Sequence, residues 1–196
     1  MWAVLVVSHT GQLMEQTALT GSRIGARFAS GYARTLLHVV SIPAVIAMAV
    51  IVFLLALWRG SRRRALWAAG TIAATNASAQ LLKHTLLWRP DFGLSQRWDA
   101  ANTLPSGHTA VAASTAVALV LVVGARWRSL TAWIGALLAA AMGYSTLVCQ
   151  WHRPGDVMAA LLLAVGWGAV AVACGAWAND EPAPGGRTGP DDGGGR

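Results

Sequence analysis

Two segments of this 196-residue chain contain side chains that could carry out acid–base or nucleophilic chemistry. In one of them, residues 149–156, His152 is followed four residues later by Asp156. Side chains four residues apart share one face of a helix, so the carboxylate is expected to bind one imidazole nitrogen and fix the tautomer. The other nitrogen is then available as a nucleophile or a base. The alternative is an interfacial pair that only caps the helix.

The first segment, residues 83–108, ends in Pro105-Ser106-Gly107-His108, directly before an apolar stretch. A helix N-terminus presents unpaired N–H groups and a partial positive charge, which suit the oxygens of a phosphate. Gly107 would allow the backbone to approach that anion closely. The alternative is a Pro-Ser helix start followed by an incidental histidine.

Cationic side chains precede and follow these histidines. Lys83 is the only lysine in the chain, which suggests that a compact point charge is needed there, although a lysine snorkelling to an interface is the alternative. Arg89 offers a planar fork suited to bidentate phosphate contacts, and Arg153 follows His152 directly. No further cluster of histidines or carboxylates indicates a metal site, and no cofactor is expected.

The composition predicts how these residues are positioned. Hydrophobic residues make up 55% of the chain and charged residues 12%, against about a quarter charged in a soluble domain. Five charge-poor stretches have about the length of a spanning helix: Leu36–Trp58, Ala65–Leu82, Thr109–Ala125, Leu130–Val148 and Val157–Ala178. None of them alternates like a strand, so the sequence predicts an all-α, polytopic transmembrane bundle with five clear spans.

Charge predicts the orientation and the partners. The net charge is +7, but the basic residues lie in short loops, which favours attraction to membrane lipids or anionic substrates over binding to nucleic acid. Four arginines within residues 59–64, supported by Arg126 and Arg128, place that end in the cytoplasm by the positive-inside rule. Both chemical segments then lie on the extracytoplasmic face of a cell membrane. Three arginines in the N-terminal segment argue for the opposite orientation.

The same patterns divide the chain into three parts. Residues 1–35 are expected to form an amphipathic, interfacial helix or a reduced first span. Residues 36–178 are the predicted transmembrane domain. Residues 179–196 are rich in glycine, proline and aspartate and are expected to form a disordered cytoplasmic tail.

Three motifs together resemble those of the type 2 phosphatidic acid phosphatase superfamily, Lys-x6-Arg-Pro, Pro-Ser-Gly-His and Ser-Arg-x5-His-x3-Asp. This chain has Lys83-x5-Arg89-Pro90, an intact Pro105-Ser106-Gly107-His108, and Ser145-Thr146-x5-His152-x3-Asp156. The first motif is one residue short. Thr146 stands where the family has a phosphate-binding arginine, and Arg153 or Arg97 could supply the missing charge.

The resemblance implies a mechanism. His152 would attack phosphorus and form a phosphohistidine, Asp156 would orient its ring, and His108 would protonate the leaving group and later activate water. The groups that would hold the phosphoryl oxygens are Lys83, Arg89, the Ser106 and Gly107 amides and, in place of the family arginine, Arg153.

The resemblance also implies a substrate class. A metal-independent membrane phosphatase of this kind would act on a lipid phosphate, namely phosphatidate, phosphatidylglycerol phosphate or a polyprenyl phosphate or diphosphate. Two alternatives remain open. One is a phosphotransferase that uses the same phosphohistidine, and the other, encouraged by Thr146, is a non-catalytic protein that binds or transports lipid phosphates.

Cysteine labelling tests the predicted orientation. Ser61→Cys and Ser95→Cys, each made in a chain without Cys149 and Cys174, should react with a membrane-impermeant reagent from opposite sides, Ser95→Cys from outside. The positive-inside rule gives the direction, because residue 61 lies within the arginine cluster. Reaction of Ser61→Cys from outside would show the reverse orientation.

Overall fold

The structure, a computed structural model, describes residues 1–22, 24, 26, 31–35, 42–58, 62–94 and 102–178. Regular secondary structure within these ranges is helical throughout, which confirms the predicted all-α class. Several residues used in the predictions above lie outside the described ranges: Arg23, Arg27, Arg97, the labelling positions Ser61 and Ser95, and the predicted tail at 179–196.

The described helices are, in chain order, α1 Trp2–Leu5, α2 His9–Gly21, α3 Ile42–Trp58, α4 Arg62–Leu81, α5 Gly107–Val122, α6 Ala125–Val148 and α7 Pro154–Ala173. A π-helical turn, Leu82–Leu86, follows α4 directly. Each of the five predicted apolar stretches overlaps one of the helices α3 to α7. Their existence and order are therefore as predicted, with ends that differ by a few residues.

The prediction of five clear spans is not confirmed. By length and composition, two described helices can cross a membrane, α6 with 24 residues and α7 with 20. Helix α5 is apolar but has only 16 residues, and α3 has 17. Helix α4 begins with three arginines and buries Thr71 and Thr75 along its length. The apolar stretches overestimated the spans because some of their end residues belong to turns, and because polar side chains within α4 lower its hydropathy.

Helix α5 lies at the centre of the bundle and contacts α3, α4, α6 and α7. Small residues allow its neighbours to approach closely. A Cβ added to Gly135 of α6 would lie 2.7 Å from the Ala116 side chain of α5, and Gly168 of α7 lies in the same way against Val117. Alanines also line the buried faces, including Ala68, Ala110, Ala113, Ala118, Ala160 and Ala164. Close contact between small residues is typical of helix pairs in membranes.

The two ends of the helical bundle carry different residues, because of the directions in which the helices run. Asn102 Nδ2 donates to the Leu87 carbonyl at 3.1 Å, and Ser106 N–H donates to the Asp156 carbonyl at 2.9 Å. These bonds place the end of α4 and the starts of α5 and α7 together. At the other end, Arg63 Nη2 donates to the Cys174 carbonyl at 3.2 Å. The chemical segments and the arginines in the first turns of α4 and α6 are therefore at opposite ends.

The N-terminal helices pack onto the end of the bundle that holds the chemical segments. Gly11 is needed where α1 and α2 meet, because an added Cβ would collide with the Val4 carbonyl oxygen. Gln12 and Glu15 of α2 are buried, whereas Leu13 and Met14 are exposed. The interfacial helix over residues 1–35 stays a prediction, but in its described part Gln12 and Glu15 face the protein rather than water.

Candidate active site

The carboxylate of Asp156 lies at the centre of the candidate site and is 1% exposed. Its Oδ2 atom accepts three hydrogen bonds, from His152 Nδ1 at 3.2 Å, from the Arg153 amide at 3.0 Å and from Thr103 Oγ1 at 2.6 Å. Because buried charge must be compensated by donors, these three bonds fix the carboxylate and its partners in one arrangement.

The predicted pairing of His152 with Asp156 is present, but the local reason for it is different. Helix α7 begins at Pro154, so His152 lies before the helix rather than on a face shared with Asp156. Arg153 is the N-cap residue, with an extended backbone at φ −97° and ψ 163°. Pro154 favours a helix start because its missing N–H needs no acceptor there. The carboxylate of Asp156 reaches back to the cap, and His152 meets it from the preceding turn.

This arrangement assigns different roles to the two nitrogens of His152. Since Nδ1 faces Asp156, it carries the proton, as the hydrogen-bond pattern requires. Nε2 is then the unprotonated nitrogen with a lone pair. His152 is 9% exposed, and its backbone N–H donates to the Thr146 carbonyl at 3.3 Å. The imidazole is thus held at both backbone and ring, as a nucleophile requires.

The Pro105-Ser106-Gly107-His108 motif forms the start of α5, as predicted, with Ser106 as its N-cap. The prediction that the Ser106 amide binds phosphate is wrong, because that N–H already donates to the Asp156 carbonyl. It joins the starts of α5 and α7 instead. The amides of Gly107 and His108 occupy the first helical positions, where no intrahelical acceptor precedes them. A Cβ on Gly107 would meet nothing within 4 Å, so open space adjoins this backbone.

The His108 side chain lies near His152. Its ring is half-buried and lies 5.6 Å from the Trp151 ring, between centroids. It is within electrostatic reach of both His152 and Lys83. The two histidines that the sequence singled out are therefore brought close together, one from the start of α5 and the other from the turn before α7.

Lys83 reaches the site although its motif is one residue short. It lies on the π-helical turn after α4, and Asn102 binds that turn through the Leu87 carbonyl. Burial lowers the pKa of Lys83, while the Asp156 carboxylate acts in the opposite direction. The ammonium group is therefore close enough to both His108 and Asp156 for its charge to act there.

Arg89 is held by the N-terminal helix. Its Nη2 donates to Gln12 Oε1 at 2.9 Å, and Gln12 Nε2 donates to the Pro90 carbonyl at 2.8 Å. Burial lowers the pKa of Arg89 and the nearby Arg153 lowers it further, while Glu15 and Asp156 raise it. The guanidinium stays protonated at any physiological pH, so Arg89 and Arg153 together concentrate positive charge near the Asp156 carboxylate.

Three residues of the site were missed by sequence reasoning: Thr103, Gln12 and Glu15. Glu15 Oε1 accepts the Gly155 N–H at 2.7 Å, and its side chain is almost fully buried. Burial and the neighbouring Asp156 raise the pKa of Glu15 to about 7. One signal could have found it, since Glu15 is the only acidic residue in the first 90 positions of the chain. Nothing in the sequence pattern distinguishes Thr103 or Gln12.

Comparison with known families now bears on this geometry. A family model described as the PAP2 superfamily matches residues 64–180, more than half of the chain. The chain belongs to the PAP2 superfamily. This confirms the resemblance drawn from the three motifs, all of which lie inside the matched range. No curated protein and no solved structure matches the chain. PAP2 members are phosphatases, so membership indicates phosphatase activity on a phosphate ester.

In this PAP2 chain, Thr146 stands at the position of the family arginine but does not take over its contact with phosphate. Its buried hydroxyl donates to the Gly143 carbonyl of its own helix at 2.7 Å. Arg153, by contrast, has a non-helical backbone, which allows its side chain to turn toward the site. Its Nη1 donates to Thr103 Oγ1 at 3.1 Å. Arg153 is therefore the described residue best placed to supply the missing positive charge.

No metal site is evident in the described ranges. They contain no group of three or more histidine, cysteine, aspartate or glutamate side chains that could hold a metal ion. Metal independence itself stays a prediction.

The role of Arg153 is testable by substitution. Arg153→Ala should lower kcat/KM for a phosphate ester by about ten- to a hundredfold, the value of one charged hydrogen bond to the phosphoryl group. Arg153→Lys, which keeps the charge but not the fork, should lose less. Thr146→Arg should restore part of the activity of Arg153→Ala. An unchanged rate in Arg153→Ala would show that the site binds phosphate without this cation.

Proposed function

We propose that this PAP2 protein is a multi-pass membrane lipid phosphatase that hydrolyses a lipid phosphomonoester or diphosphate through a phosphohistidine at His152. The observation that carries the proposal is the contact of His152 Nδ1 with the buried Asp156 carboxylate. This contact leaves Nε2 as the nucleophilic nitrogen, with His108 in electrostatic reach of His152 and Lys83 in reach of His108.

In the first step, His152 Nε2 attacks the phosphorus atom while the bond from phosphorus to the leaving oxygen breaks. His108, as the imidazolium, gives its proton to that oxygen, and the alcohol or phosphate departs. The phosphoryl group then resides on Nε2, and the positive imidazole ring is stabilised by Asp156. A nucleophile oriented by a buried carboxylate is a recurrent arrangement in covalent catalysis.

In the second step, neutral His108 takes a proton from a water molecule as that water attacks the phosphohistidine. The bond between phosphorus and Nε2 breaks, inorganic phosphate leaves, and both histidines return to their starting states. One histidine thus acts as acid and then as base, which agrees with a position facing the nucleophile.

The cations and helix starts supply electrostatic stabilisation during both steps. Phosphoryl transfer depends mainly on positioning and on neutralising the charge of the equatorial oxygens. Lys83, Arg89 and Arg153 provide three positive side chains, and the Gly107 and His108 amides point from the start of α5. Helix α7 begins at the same place, so two positive helix ends converge there.

The outer surface supports a lipid environment. Large apolar side chains are exposed along the two longest apolar helices: Trp133, Leu137 and Leu138 on α6, and Met158, Leu162 and Val165 on α7. Alanine and glycine make up more than half of the buried residues on these two helices. Helices with small residues inside and large apolar residues outside suit a bilayer rather than water. The arginines that begin α4 and α6 lie at the opposite end, which favours a site on the extracytoplasmic face.

A phosphate assay with purified protein tests the activity. We expect release of inorganic phosphate from at least one of phosphatidate, phosphatidylglycerol phosphate and a polyprenyl phosphate or diphosphate. Accumulation of a phosphorylated acceptor instead of free phosphate would indicate a phosphotransferase. Tight binding of every lipid without turnover would indicate a binding or transport protein.

Substitution of each of the two histidines should impair a different step of the reaction. His152→Ala should abolish the phosphoenzyme and turnover, whereas His108→Ala should lower turnover by about a hundred- to ten-thousandfold, as expected for the loss of general acid–base catalysis. With p-nitrophenyl phosphate, whose leaving group needs little protonation, His108→Ala should still form the phosphoenzyme. His84→Ala, at an exposed position, is the control and should be active. Near-normal turnover by His152→Ala would refute the assignment.

Hydrolysis should not depend on a metal ion. A chelator should leave the rate unchanged, and vanadate, which mimics pentavalent phosphorus, should inhibit. Loss of activity with a chelator, followed by recovery with a divalent cation, would contradict this prediction.

A further inference from the structure

Helix α2 contributes an acidic side chain to the site from outside the range matched by the family. Glu15 belongs to residues 1–22, whereas the family match begins at residue 64. The Glu15 side chain is 3% exposed, although it lies on a helix whose neighbouring positions, Leu13 and Met14, face outward. Burial of a carboxyl group costs free energy unless hydrogen bonds or charges compensate for the lost water, so the placement of Glu15 needs a physical explanation.

The first reason is a cap at the start of α7. The Gly155 N–H is at the second helical position, where no intrahelical acceptor is available, and Glu15 Oε1 accepts it at 2.7 Å. A Cβ on Gly155 would collide with this oxygen and would lie 3.2 Å from Leu5 Cδ1. The lack of a side chain at Gly155 is therefore what admits Glu15, directly beside Asp156.

The second reason is electrostatic. The charged groups that act on Glu15 come from two separate elements: Arg89 from the segment after the π-helical turn, and Arg153 and Asp156 from the start of α7. On its own helix, Gln12 binds Arg89 directly. One face of α2 thus contacts both the loop that carries a phosphate-binding cation and the helix that carries the carboxylate partner of the nucleophile.

We propose that Glu15 is a positioning residue of the phosphatase site, which fixes the start of α7 and whose charge controls how strongly Arg89 and Arg153 attract the substrate phosphate. The inference rests on the proposed function. When Glu15 is ionised, it offsets part of the positive charge of the two arginines. When it is neutral, the full charge of both acts on the phosphate.

Protonation of Glu15 near neutral pH follows from its surroundings. Burial, and then the neighbouring Asp156, raise its pKa to about 7, and the Gly155 amide and the two arginines oppose this rise. Its Oε2 atom is buried and has no hydrogen-bond partner among the described residues, so it can carry the proton while Oε1 still accepts from Gly155. Below pH 7 the side chain is mainly neutral, and above pH 7 it is mainly ionised.

Substitution by glutamine separates the two roles. Glu15→Gln keeps the acceptor for Gly155 but removes the charge at every pH, whereas Glu15→Ala removes both. Between pH 6 and pH 8.5, the KM of the wild type for a lipid phosphate should rise relative to that of Glu15→Gln. The ratio should reach about three- to tenfold at the upper limit, as expected for one nearby charge. At pH 6 the two proteins should have similar kcat and KM values.

Glu15→Ala should lower kcat at all pH values, because the start of α7 loses its cap. Glu15→Gln keeps this cap and should have the kcat of the wild type. Thr17→Ala, at an exposed position of the same helix, is the matched control and should behave as the wild type. If Glu15→Gln and Glu15→Ala lose activity and thermal stability equally, with the pH profile of KM unchanged, the role is only structural and the proposal is wrong.

Vanadate binding separates this proposal from the proposed function. Its affinity, measured from 51V spectra of the purified wild type and Glu15→Gln, should differ above pH 7 and agree at pH 6. If no lipid phosphate is hydrolysed, the proposed function fails, yet this pH-dependent difference would still support the role of Glu15. Identical vanadate affinity and KM in both proteins across the pH range would overturn the role of Glu15.

Discussion

The buried charge of Asp156 is the constraint on which the rest of the site depends. Removing a carboxylate from water costs several kcal/mol unless donors replace the lost hydration. Oδ2 receives those donors from a histidine ring, a backbone amide and a threonine hydroxyl. Each donor comes with a geometric consequence: the first orients His152, the second forms the cap of α7, and the third fixes the segment before Pro105. The requirement to satisfy one charge therefore organises His152, the helix start and the neighbouring segment together.

The main chain at Asp156 extends the same organisation to α5. Its carbonyl accepts the Ser106 N–H, so the residue that holds the His152 ring also binds the start of the helix that carries His108. Two helices then begin side by side, so their partial positive charges lie close together, and the Gly107 and His108 amides of α5 have no intrahelical acceptor. With Lys83, Arg89 and Arg153 nearby, the balance of fixed charge favours a phosphate group. The carboxyl group of Glu15 opposes that balance.

Much of this site could be predicted from the sequence, because its chemistry is concentrated in short motifs. The spacing from His152 to Asp156 and the position of His108 before an apolar stretch are local features, and both histidines are brought together. The reason given for the first pair was wrong, since Pro154 starts the helix after His152. The roles of the Ser106 amide, Thr103 and Glu15 depend on contacts between residues about 50 to 140 positions apart, which no local pattern encodes.

The five bundle helices α3 to α7 were predictable in order from the apolar stretches, but their capacity to span a membrane was less predictable. Hydropathy averages over a stretch, whereas α4 contains Thr71, Thr75 and Asn76 at positions that face other helices. Asn76 Nδ2 donates to Ser114 Oγ of α5 at 3.3 Å, and Ser114 is fully buried. Such polar contacts within a helical bundle reduce hydropathy without exposing polar groups to lipid. A window of composition cannot distinguish them from polar groups that face water.

Two tryptophans relate the site to the depth of the proposed membrane. Trp88 and Trp151 are exposed, and both lie at the end of the bundle where the site is formed. Exposed indoles favour the headgroup region of a bilayer, because the ring is apolar and its N–H needs a polar partner. Trp151 directly precedes His152, and its ring lies against His108. With this indole in the headgroup region, the proposed acid that it contacts would lie at the level of lipid phosphates, and His152 with it. A lipid substrate could then present its phosphate to the site while its hydrocarbon chains remain in the bilayer.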